Sequence, residues 1–174
     1  MIHPTAEVSE KAKIGKNVKV WNNVQIRENA VIGDNCILGK NVYIDCGVKI
    51  GSNVKIGNNV SVYNGVTIED GVMISPHVCF TNDKFPRAIN PDGSLKKAGD
   101  WKIGFITVKK GASVGANSTI LPGVTIGKFA MVGAGSVVID NVPDYALVYG
   151  NPAKIYGKVD ESGNIIETLS NNDN

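Results

Sequence analysis

The side chains best suited to proton transfer and anion binding gather in one short stretch, HVCFTNDKFPR, which begins at His77. An imidazole can serve as a base or a proton shuttle near neutral pH. Asn82 and Asp83 add an amide and a carboxylate, and the guanidinium of Arg87 suits a pyrophosphate or a sugar carboxylate. The structural alternative gives the same residues ordinary roles, with His77 in a corner, Asn82 in a turn and Arg87 as a solvated charge.

The other histidine and the cysteines do not indicate a catalytic or metal-binding site. His3 is far along the chain from His77, and we assign it a structural or surface role. The three cysteines, Cys36, Cys46 and Cys79, fit no C-x-x-C spacing and are interpreted as small residues in a reducing compartment. No P-loop and no dinucleotide-binding glycine motif is present. Nucleotide hydrolysis and NAD chemistry therefore have no support in the sequence. We also expect no requirement for a metal.

Composition narrows the class of protein. A chain of 174 residues has room for one domain with a real core. Its net charge of +2 is too small to indicate nucleic acid or a membrane as the main partner. No apolar run is long enough to cross a bilayer, and the N-terminal residues lack the apolar segment of a secretion signal. We expect a cytoplasmic protein.

A six-residue repeat must position these groups. An apolar residue stands at every sixth place from Ile2 to Phe80 and again from Val108 to Val138. Four places later the residue is small or β-branched, as in Ala6 and Val18. The place after the apolar residue is often Gly, and the place two further on is mostly Asn or Gly, which tolerate a left-handed backbone.

A period of six fits neither a helix nor a hairpin array. It predicts short β segments with two inward side chains per unit, joined by Asn or Gly corners. Three units make an 18-residue coil of a triangular prism, and coils stack as parallel strands. The sequence therefore predicts an all-β solenoid of about six coils over residues 1–143, interrupted by a loop at 81–107. Residues 144–174 are predicted to form a C-terminal extension with a mobile tail.

The repeat resembles a known family. IGKNVK, IGDNCI, IGSNVK and IGNNVS match the hexapeptide motif of the left-handed parallel β-helix acyltransferases. The run from Asn58 to Ala88, the run from Val108 to Val138 and the segment VPDYALVYGNPAK are similar to N-acetyltransferases of nucleotide-linked 3-amino sugars. The left hand comes from this resemblance, since parallel crossovers are normally right-handed.

The resemblance implies an activity and its participants. Acetyl-CoA would acetylate a UDP- or dTDP-linked amino sugar for a surface polysaccharide such as O-antigen, in a homotrimer with active sites between subunits. Asn82 matches the residue beside the acceptor amine. Tyr63 and Glu69, both on outward positions, are candidates to face the sugar or the base, together with Asp83 and Arg87 as substrate-binding residues.

The resemblance also implies a path for coenzyme A along the late coils. Ala116, Ala134 and Gly135 are small enough for close approach to the backbone. Lys154, in the segment GNPAK, would meet a phosphate of coenzyme A.

Three other functions remain to be compared with this one. An O-acetyltransferase of the same fold, acting on a sugar or serine hydroxyl, would need His77 as its base. A γ-type carbonic anhydrase needs three histidine zinc ligands, which two distant histidines do not supply. A non-catalytic solenoid would need neither the loop nor the GNPAK segment.

Overall fold

The computed structural model describes residues 1–169, and these form a triangular prism of stacked coils. The described residues contain twenty-two strands, most of them two residues long. In chain order they are β1 (Glu7–Val8), β2 (Lys13–Ile14), β3 (Lys19–Val20), β4 (Gln25–Ile26), β5 (Val31–Ile32), β6 (Ile37–Leu38), β7 (Tyr43–Ile44), β8 (Lys49–Ile50), β9 (Lys55–Ile56), β10 (Ser61–Val62), β11 (Val66–Ile68), β12 (Met73–Ile74), β13 (Cys79–Phe80), β14 (Ile106–Val108), β15 (Ser113–Val114), β16 (Thr119–Ile120), β17 (Thr125–Ile126), β18 (Met131–Val132), β19 (Val137–Val138), β20 (Ala146–Gly150), β21 (Ala153–Val159) and β22 (Ile165–Thr168).

The strands form three faces. Face A contains β3, β6, β9, β12, β15, β18 and the final strands β20, β21 and β22. Face B contains β1, β4, β7, β10, β13, β16 and β19, and face C contains β2, β5, β8, β11, β14 and β17. We name the corners by the faces that they join. Corner AB includes residues 57–60 and 75–78, corner BC includes 45–48 and 63–65, and corner CA includes 51–54 and 69–72.

Stacking follows the 18-residue period. Val20 pairs with Leu38, and Ile26 pairs with Ile44, in parallel register. The apolar residue of each hexapeptide points inward and is buried from Val20 onward, as is the small residue four places later. Because each coil covers the one below, two short inward side chains per unit are enough to build a continuous core.

Left-handed corner residues make the turns. The third residue of a corner has a positive φ in eight asparagines, Asn17, Asn23, Asn29, Asn35, Asn41, Asn53, Asn59 and Asn117. The Asn and Gly pattern predicted this conformation, and that prediction is confirmed. Phe129 and Tyr145 adopt it as well. Their rings stack 5.5 Å apart, and the ring of Phe129 covers Gly111, where a Cβ would collide with it.

The predicted fold class, an all-β left-handed parallel β-helix, is confirmed. The coils number seven, and β20 begins an eighth, where the sequence pattern predicted about six. The additional rungs come from the isolated bridge between Ile126 and Val142 and from the pairing of β20 with β18. These rungs were undercounted because the last of them follow the final complete hexapeptide.

The loop lies on corner BC of the fifth coil. Stacked partners are 18 residues apart below it, as in Lys55 and Met73, and 40 apart across it, as in Met73 and Ser113, so the loop adds 22 residues. Between β13 and β14 it occupies residues 81–105, because β14 begins at Ile106. Phe85, Leu95 and Phe105 are 75%, 74% and 72% exposed, which leaves an apolar surface on the loop.

The chain closes with an antiparallel hairpin on face A. β20 pairs with β21 and β21 with β22, and the rings of Tyr149 and Tyr156 stack 3.7 Å apart. The division of the chain into 1–143 and 144–174 stays a prediction, and the predicted mobile tail, residues 170–174, lies outside the described residues. Within residues 1–169, no helix combines the length and apolar character needed to cross a membrane.

Candidate functional site

Asn82 lies where the chain leaves corner BC, above Asn64 of the coil below. The Nδ2 of Asn82 donates to the backbone oxygen of Asn64 at 3.2 Å. The backbone oxygen of Asn82 accepts from the N–H of Gly104 at 2.8 Å, so the two ends of the loop are tied together at this residue. The Oδ1 of Asn82 has no hydrogen-bond partner within residues 1–169. It can therefore accept a proton-bearing group of a bound molecule.

A carboxylate orders the corner on which Asn82 rests. One oxygen of Asp45 accepts from the backbone N–H of Cys46 at 2.7 Å and from the hydroxyl of Tyr43 at 3.0 Å. The other accepts from the backbone N–H of Asn64 at 3.1 Å. Arg27 lies 3.5 Å from the same carboxylate, whose side chain is 14% exposed. Asp45 thus holds the turn that presents the Asn64 carbonyl to Asn82.

Sequence reasoning missed Asp45, Tyr43 and Arg27. The sequence did contain a signal for this cluster. Arg27, Asp45 and Tyr63 occupy the same corner position in successive coils, 18 residues apart, and the loop begins at the next position in this series. Burial raises the pKa of the Tyr43 hydroxyl, which therefore remains a neutral donor to the carboxylate. The ring of Tyr63, which was predicted, is exposed and lies 5.7 Å from that of Tyr43 at a tilt of 59°.

Asp83 and Arg87 lie in the first part of the loop. Asp83 forms an antiparallel bridge with Ile103, and its Oδ1 accepts from the N–H of Phe85 at 2.9 Å. The Nη1 of Arg87 donates to the oxygen of Pro86 at 2.8 Å, and the side chain is otherwise exposed. Asp83 therefore stabilises the loop turn, and Arg87 keeps most of its N–H donors available to an anion.

Glu69 lies on a different corner from Asn82 and Tyr63. It follows β11 on corner CA, where its Oε2 accepts from the backbone N–H of Lys110 at 2.9 Å. Its carboxylate therefore caps the turn of the coil above. The structure does not bring Glu69 to corner BC, since residues six places apart in the repeat occupy successive corners.

His77 occupies corner AB of the same coil as the loop. Its φ is +62°, its side chain is exposed, and its N–H donates to the oxygen of Asn58 at 3.0 Å. The ring Nε2 lies 3.4 Å from the Nδ2 of Asn59, one coil below. His77 thus takes a position that asparagine holds in the three coils beneath it, at Asn23, Asn41 and Asn59.

Above His77 this corner carries Asn117, and the other corner residues of the next two coils are small. The N–H of Gly135 donates to the oxygen of Ala116 at 2.8 Å, and a Cβ on Gly115 would collide with the backbone of Ala134. Ala134 and Gly135 are exposed, and Ala116 is half-buried. An extended ligand could therefore contact the backbone along this part of corner AB. Below His77 the same corner borders a groove of about 390 Å³ between Trp21, Lys40 and Met73.

Lys154 lies on β21, opposite Tyr149. With Ala153 and Ile155 it borders a cleft of about 240 Å³ that also includes Asp140 and Asn141. Its ammonium is exposed and could bind a phosphate at the upper end of the prism.

The thiols of Cys36 and Cys79 are not activated nucleophiles. Burial raises the pKa of Cys36 and of Cys79, so both remain protonated near neutral pH. No group of three or more histidine, cysteine, aspartate or glutamate side chains in the described part of the chain could hold a metal ion. The chemistry that the site can perform is hydrogen bonding at Asn82 and hydrogen bonding or proton transfer at His77.

Comparison with known families gives a match to the repeat. The description "Bacterial transferase hexapeptide (six repeats)" fits residues 11–46, 47–82 and 105–140, which together make up more than half of the chain and leave out most of the loop. A second description, "Hexapeptide repeat of succinyl-transferase", fits residues 29–64.

One matched relative is an amino-sugar N-acetyltransferase, and two matched structures hold coenzyme A. The chain is 46% identical over 69 residues to the dTDP-3-amino-3,6-dideoxy-alpha-D-galactopyranose 3-N-acetyltransferase of Aneurinibacillus thermoaerophilus, covering 40% of this chain and 36% of that protein. PerB from Caulobacter crescentus, solved with CoA and GDP-perosamine, matches with a TM-score of 0.56 and 26% identity, over 90% of this chain and 56% of that chain. A mutant of AntD, an N-acyltransferase from Bacillus cereus bound to dTDP and coenzyme A, matches with a TM-score of 0.53 and 27% identity, over 87% of this chain and 80% of that chain. The chain thus spans about a third of the first relative and just over half of PerB.

Proposed function

Because the chain belongs to the bacterial transferases with hexapeptide repeats, we propose that it transfers an acetyl group from acetyl-CoA to the amine of a nucleotide-linked amino sugar. The first candidate acceptor is a 3-amino sugar linked to dTDP or UDP. Support comes from the relative that acts on a dTDP-3-amino sugar and from two solved structures that hold coenzyme A with a nucleotide or a nucleotide sugar.

One observation in this chain carries the proposal. The amide of Asn82 donates downward to Asn64, and its oxygen has no partner in the part of the chain that the structure describes. A side-chain oxygen of this kind accepts a hydrogen bond from an amine and so can hold the nitrogen lone pair towards an electrophile. An amide is a very weak base, so this arrangement suits an acceptor that is already a nucleophile when it is neutral.

The reaction needs positioning more than proton abstraction. The amine nitrogen attacks the thioester carbon, a C–N bond forms, and the carbonyl electrons move to the oxygen. Collapse of this intermediate breaks the C–S bond, and the thiolate of coenzyme A that leaves takes up the proton that the nitrogen loses. A sugar amine is less basic than a lysine side chain, so a useful fraction is neutral near pH 7. Correct placement and a hydrogen bond to the oxyanion could supply most of the rate.

We assign the remaining site residues by their positions. The track of Ala116, Ala134 and Gly135 on corner AB would carry the pantetheine arm, because the side chains at these three positions are too small to cover the backbone. Lys154 would bind a phosphate of coenzyme A at the end of this path.

On the acceptor side, Arg87 would meet the diphosphate or a sugar carboxylate, and Tyr63 the sugar or the base. Asp83 would bind the acceptor together with other residues of the loop. Glu69 lies on corner CA and could contact the acceptor only from a neighbouring subunit.

A homotrimer would bring these surfaces together. His77 and the small-residue track lie on corner AB, whereas Asn82 and Tyr63 lie on corner BC. The exposed Phe85, Leu95 and Phe105 give the loop apolar side chains that contact with a second copy would bury. We propose that three chains associate with active sites between them, in the cytoplasm, in the synthesis of a surface polysaccharide.

Release of free thiol from acetyl-CoA, measured with a panel of acceptors, tests the proposal. The panel contains UDP- and dTDP-linked 3-amino and 4-amino sugars, each matched with the sugar that has a hydroxyl in place of the amine. We expect turnover with at least one amino sugar and none with its hydroxyl counterpart. Turnover with the hydroxyl sugars alone would support O-acetyl transfer. Absence of thiol release with every acceptor would contradict the proposed class of substrate.

A further inference from the structure

The asparagines of corner AB form a ladder with one direction. The Nδ2 of Asn23 donates to the Oδ1 of Asn41 at 3.3 Å, and the Nδ2 of Asn41 donates to the Oδ1 of Asn59 at 2.9 Å. Asn41 therefore accepts from the coil below and donates to the coil above, and Asn59 accepts from the coil below in the same way. Such a chain has a polarity, because reversing one amide would place two NH₂ groups or two oxygens against each other.

A second ladder on corner CA has the same direction. The Nδ2 of Asn17 donates to the Oδ1 of Asn35 at 3.2 Å, and the Nδ2 of Asn35 donates to the Oδ1 of Asn53 at 3.3 Å. The two ladders, on corners AB and CA, therefore both donate from each coil to the coil above it. All six residues share the left-handed backbone, so their side chains leave the corners in the same way.

The ladder of corner AB ends at His77. The oxygen of Asn59 is occupied by Asn41, so its NH₂ group is the part that faces the imidazole, 3.4 Å from Nε2. An NH₂ group can donate but cannot accept. The contact is therefore a hydrogen bond only when Nε2 has no proton. In a neutral ring the proton must then be on Nδ1.

We propose that the asparagine ladder fixes His77 as the Nδ1–H tautomer, so that the residue offers a hydrogen-bond donor, and not a base, to a bound substrate. Asn59 is the positioning residue, since it acts only through His77. The Nδ1 of His77 has no hydrogen-bond partner among residues 1–169, and the side chain is exposed. A carbonyl or phosphate oxygen is the chemical group that such a donor would bind.

The identity of that oxygen rests on the proposed function. In acetyl transfer, the thioester oxygen gains negative charge as the amine attacks, and an N–H aimed at it stabilises the transition state. A base at the same position would instead favour a hydroxyl acceptor. The tautomer itself does not depend on which reaction the protein catalyses, so the two inferences can fail separately.

Nitrogen NMR of the uniformly ¹⁵N-labelled full chain measures the tautomer. His3 is the only other histidine, and a His3→Gln variant assigns the two rings. At a pH where the ring is neutral, we expect the unprotonated nitrogen of His77 to be Nε2, which couples strongly to both ring C–H protons. An imidazole without such constraints favours the opposite form in water. Observation of Nε2–H in the unmodified chain would overturn the proposal.

A matched pair of variants tests the cause. Asn59→Asp places an acceptor-only group below Nε2 and should convert His77 to the Nε2–H form. Asn53→Asp makes the same change on corner CA, at a residue with the same φ of +59°, and should leave His77 unchanged. If both variants, or neither, change the tautomer, the ladder is not its cause.

Substitution of His77 tests the donor role in turnover. His77→Asn keeps an N–H donor and a residue that tolerates the left-handed corner, whereas His77→Asp keeps the corner but offers a carboxylate base. A donor role predicts that His77→Asn retains at least about tenfold more kcat than His77→Asp with an amino-sugar acceptor. The reverse order would show a base and overturn the donor role. Absence of turnover in the unmodified chain would count against the proposed function and leave the NMR result standing.

Discussion

The side-chain amide of Asn82 donates to the backbone oxygen of Asn64, one coil below, at 3.2 Å. This single bond fixes the orientation of the amide, because its NH₂ group is used and its oxygen is left for another molecule. It also joins the loop to a regular corner of the prism. The position of a candidate substrate-binding group is therefore set by a rigid coil, and less by the loop that follows it.

Removal of the Asn82 amide should slow the proposed acetyl transfer. For Asn82→Ala we expect kcat with an amino-sugar acceptor to fall about 100-fold, because the acceptor amine loses its positioning contact. The KM for acetyl-CoA should change little. The control is Asn90→Ala, in the same loop, whose amide bonds only to Ser94 and Asp100 among the described residues. Equal losses in the two variants would point to a general effect on the loop.

Loss of the Asp45 carboxylate should destabilise corner BC. Asp45→Ala removes the acceptor for two backbone N–H groups and one hydroxyl, so we expect the free energy of unfolding to fall by about 2 to 3 kcal/mol. Asp34→Ala is the control, since this exposed carboxylate accepts from the N–H of Lys16 and should cost about 1 kcal/mol or less. Denaturant titration measures both, and similar values would argue against an organising role for Asp45.

The core should be most sensitive at Phe80. Among residues 1–169, Phe80 has the largest fully buried side chain, and it stacks between Val62 and Ile120. Phe80→Ala should lower the free energy of unfolding by about 3 to 5 kcal/mol, because it leaves a cavity that short strands cannot close. Phe80→Leu restores the residue type found at Leu38 and should cost less than half as much. Equal costs for the two changes would show that cavity volume does not control stability here.

Stability should decline in alkali partly through Cys36. Burial raises the pKa of this thiol in the folded chain above its ordinary value of 9.0. As the pH rises above 9, the unfolded chain loses this proton first and binds fewer protons than the folded chain. The free energy of unfolding therefore falls as the pH rises through this interval. The stabilisation that comes from the protonated thiol is fully present only below its ordinary pKa of 9.0.

A serine variant isolates this effect. The thiol of Cys36 donates to the oxygen of Gly51 at 3.1 Å, in the same geometry in which the hydroxyl of Ser118 donates to Gly133 at 3.1 Å. Cys36→Ser should keep the hydrogen bond and reduce the alkaline loss of stability, with Cys79 and Tyr43 responsible for part of what remains. An unchanged slope between pH 9 and pH 11 would exclude Cys36 as a contributor.

Association of the chain should depend on the apolar loop surface. We expect a trimer in sedimentation equilibrium, and a shift towards monomer when Phe85 and Leu95 are both replaced by serine. Both side chains are strongly exposed within one chain, so the change should not unfold the prism. A monomeric unmodified protein, or a trimer that is indifferent to these substitutions, would place the contact elsewhere or remove it.

Sequence alone predicted the parts of the molecule that repeat. The inward residues, the left-handed corner asparagines and the place of His77 above Asn59 all follow from spacing, because each coil reproduces the one below. The Asp45 network did not follow, since it depends on the direction of side chains from successive coils. The six-residue spacing also places Glu69 on a different corner from Tyr63, but the two residues were not assigned to different corners. The positive φ of Phe129 was not expected either, because an aromatic stack compensates for the unfavourable backbone.

The register of the coils acts as a molecular ruler. Each 18-residue coil raises the chain by one strand spacing, about 4.8 Å, so the loop in the fifth coil stands about 19 Å above the first. Deletion or duplication of one whole coil below Lys55 would change this height in a single step and leave every corner above it in the same orientation. Such a change would keep His77 and Asn82 at their positions relative to each other, while it moved both relative to the lower end of the prism. Evolution of length in this architecture is therefore separable from evolution of the site.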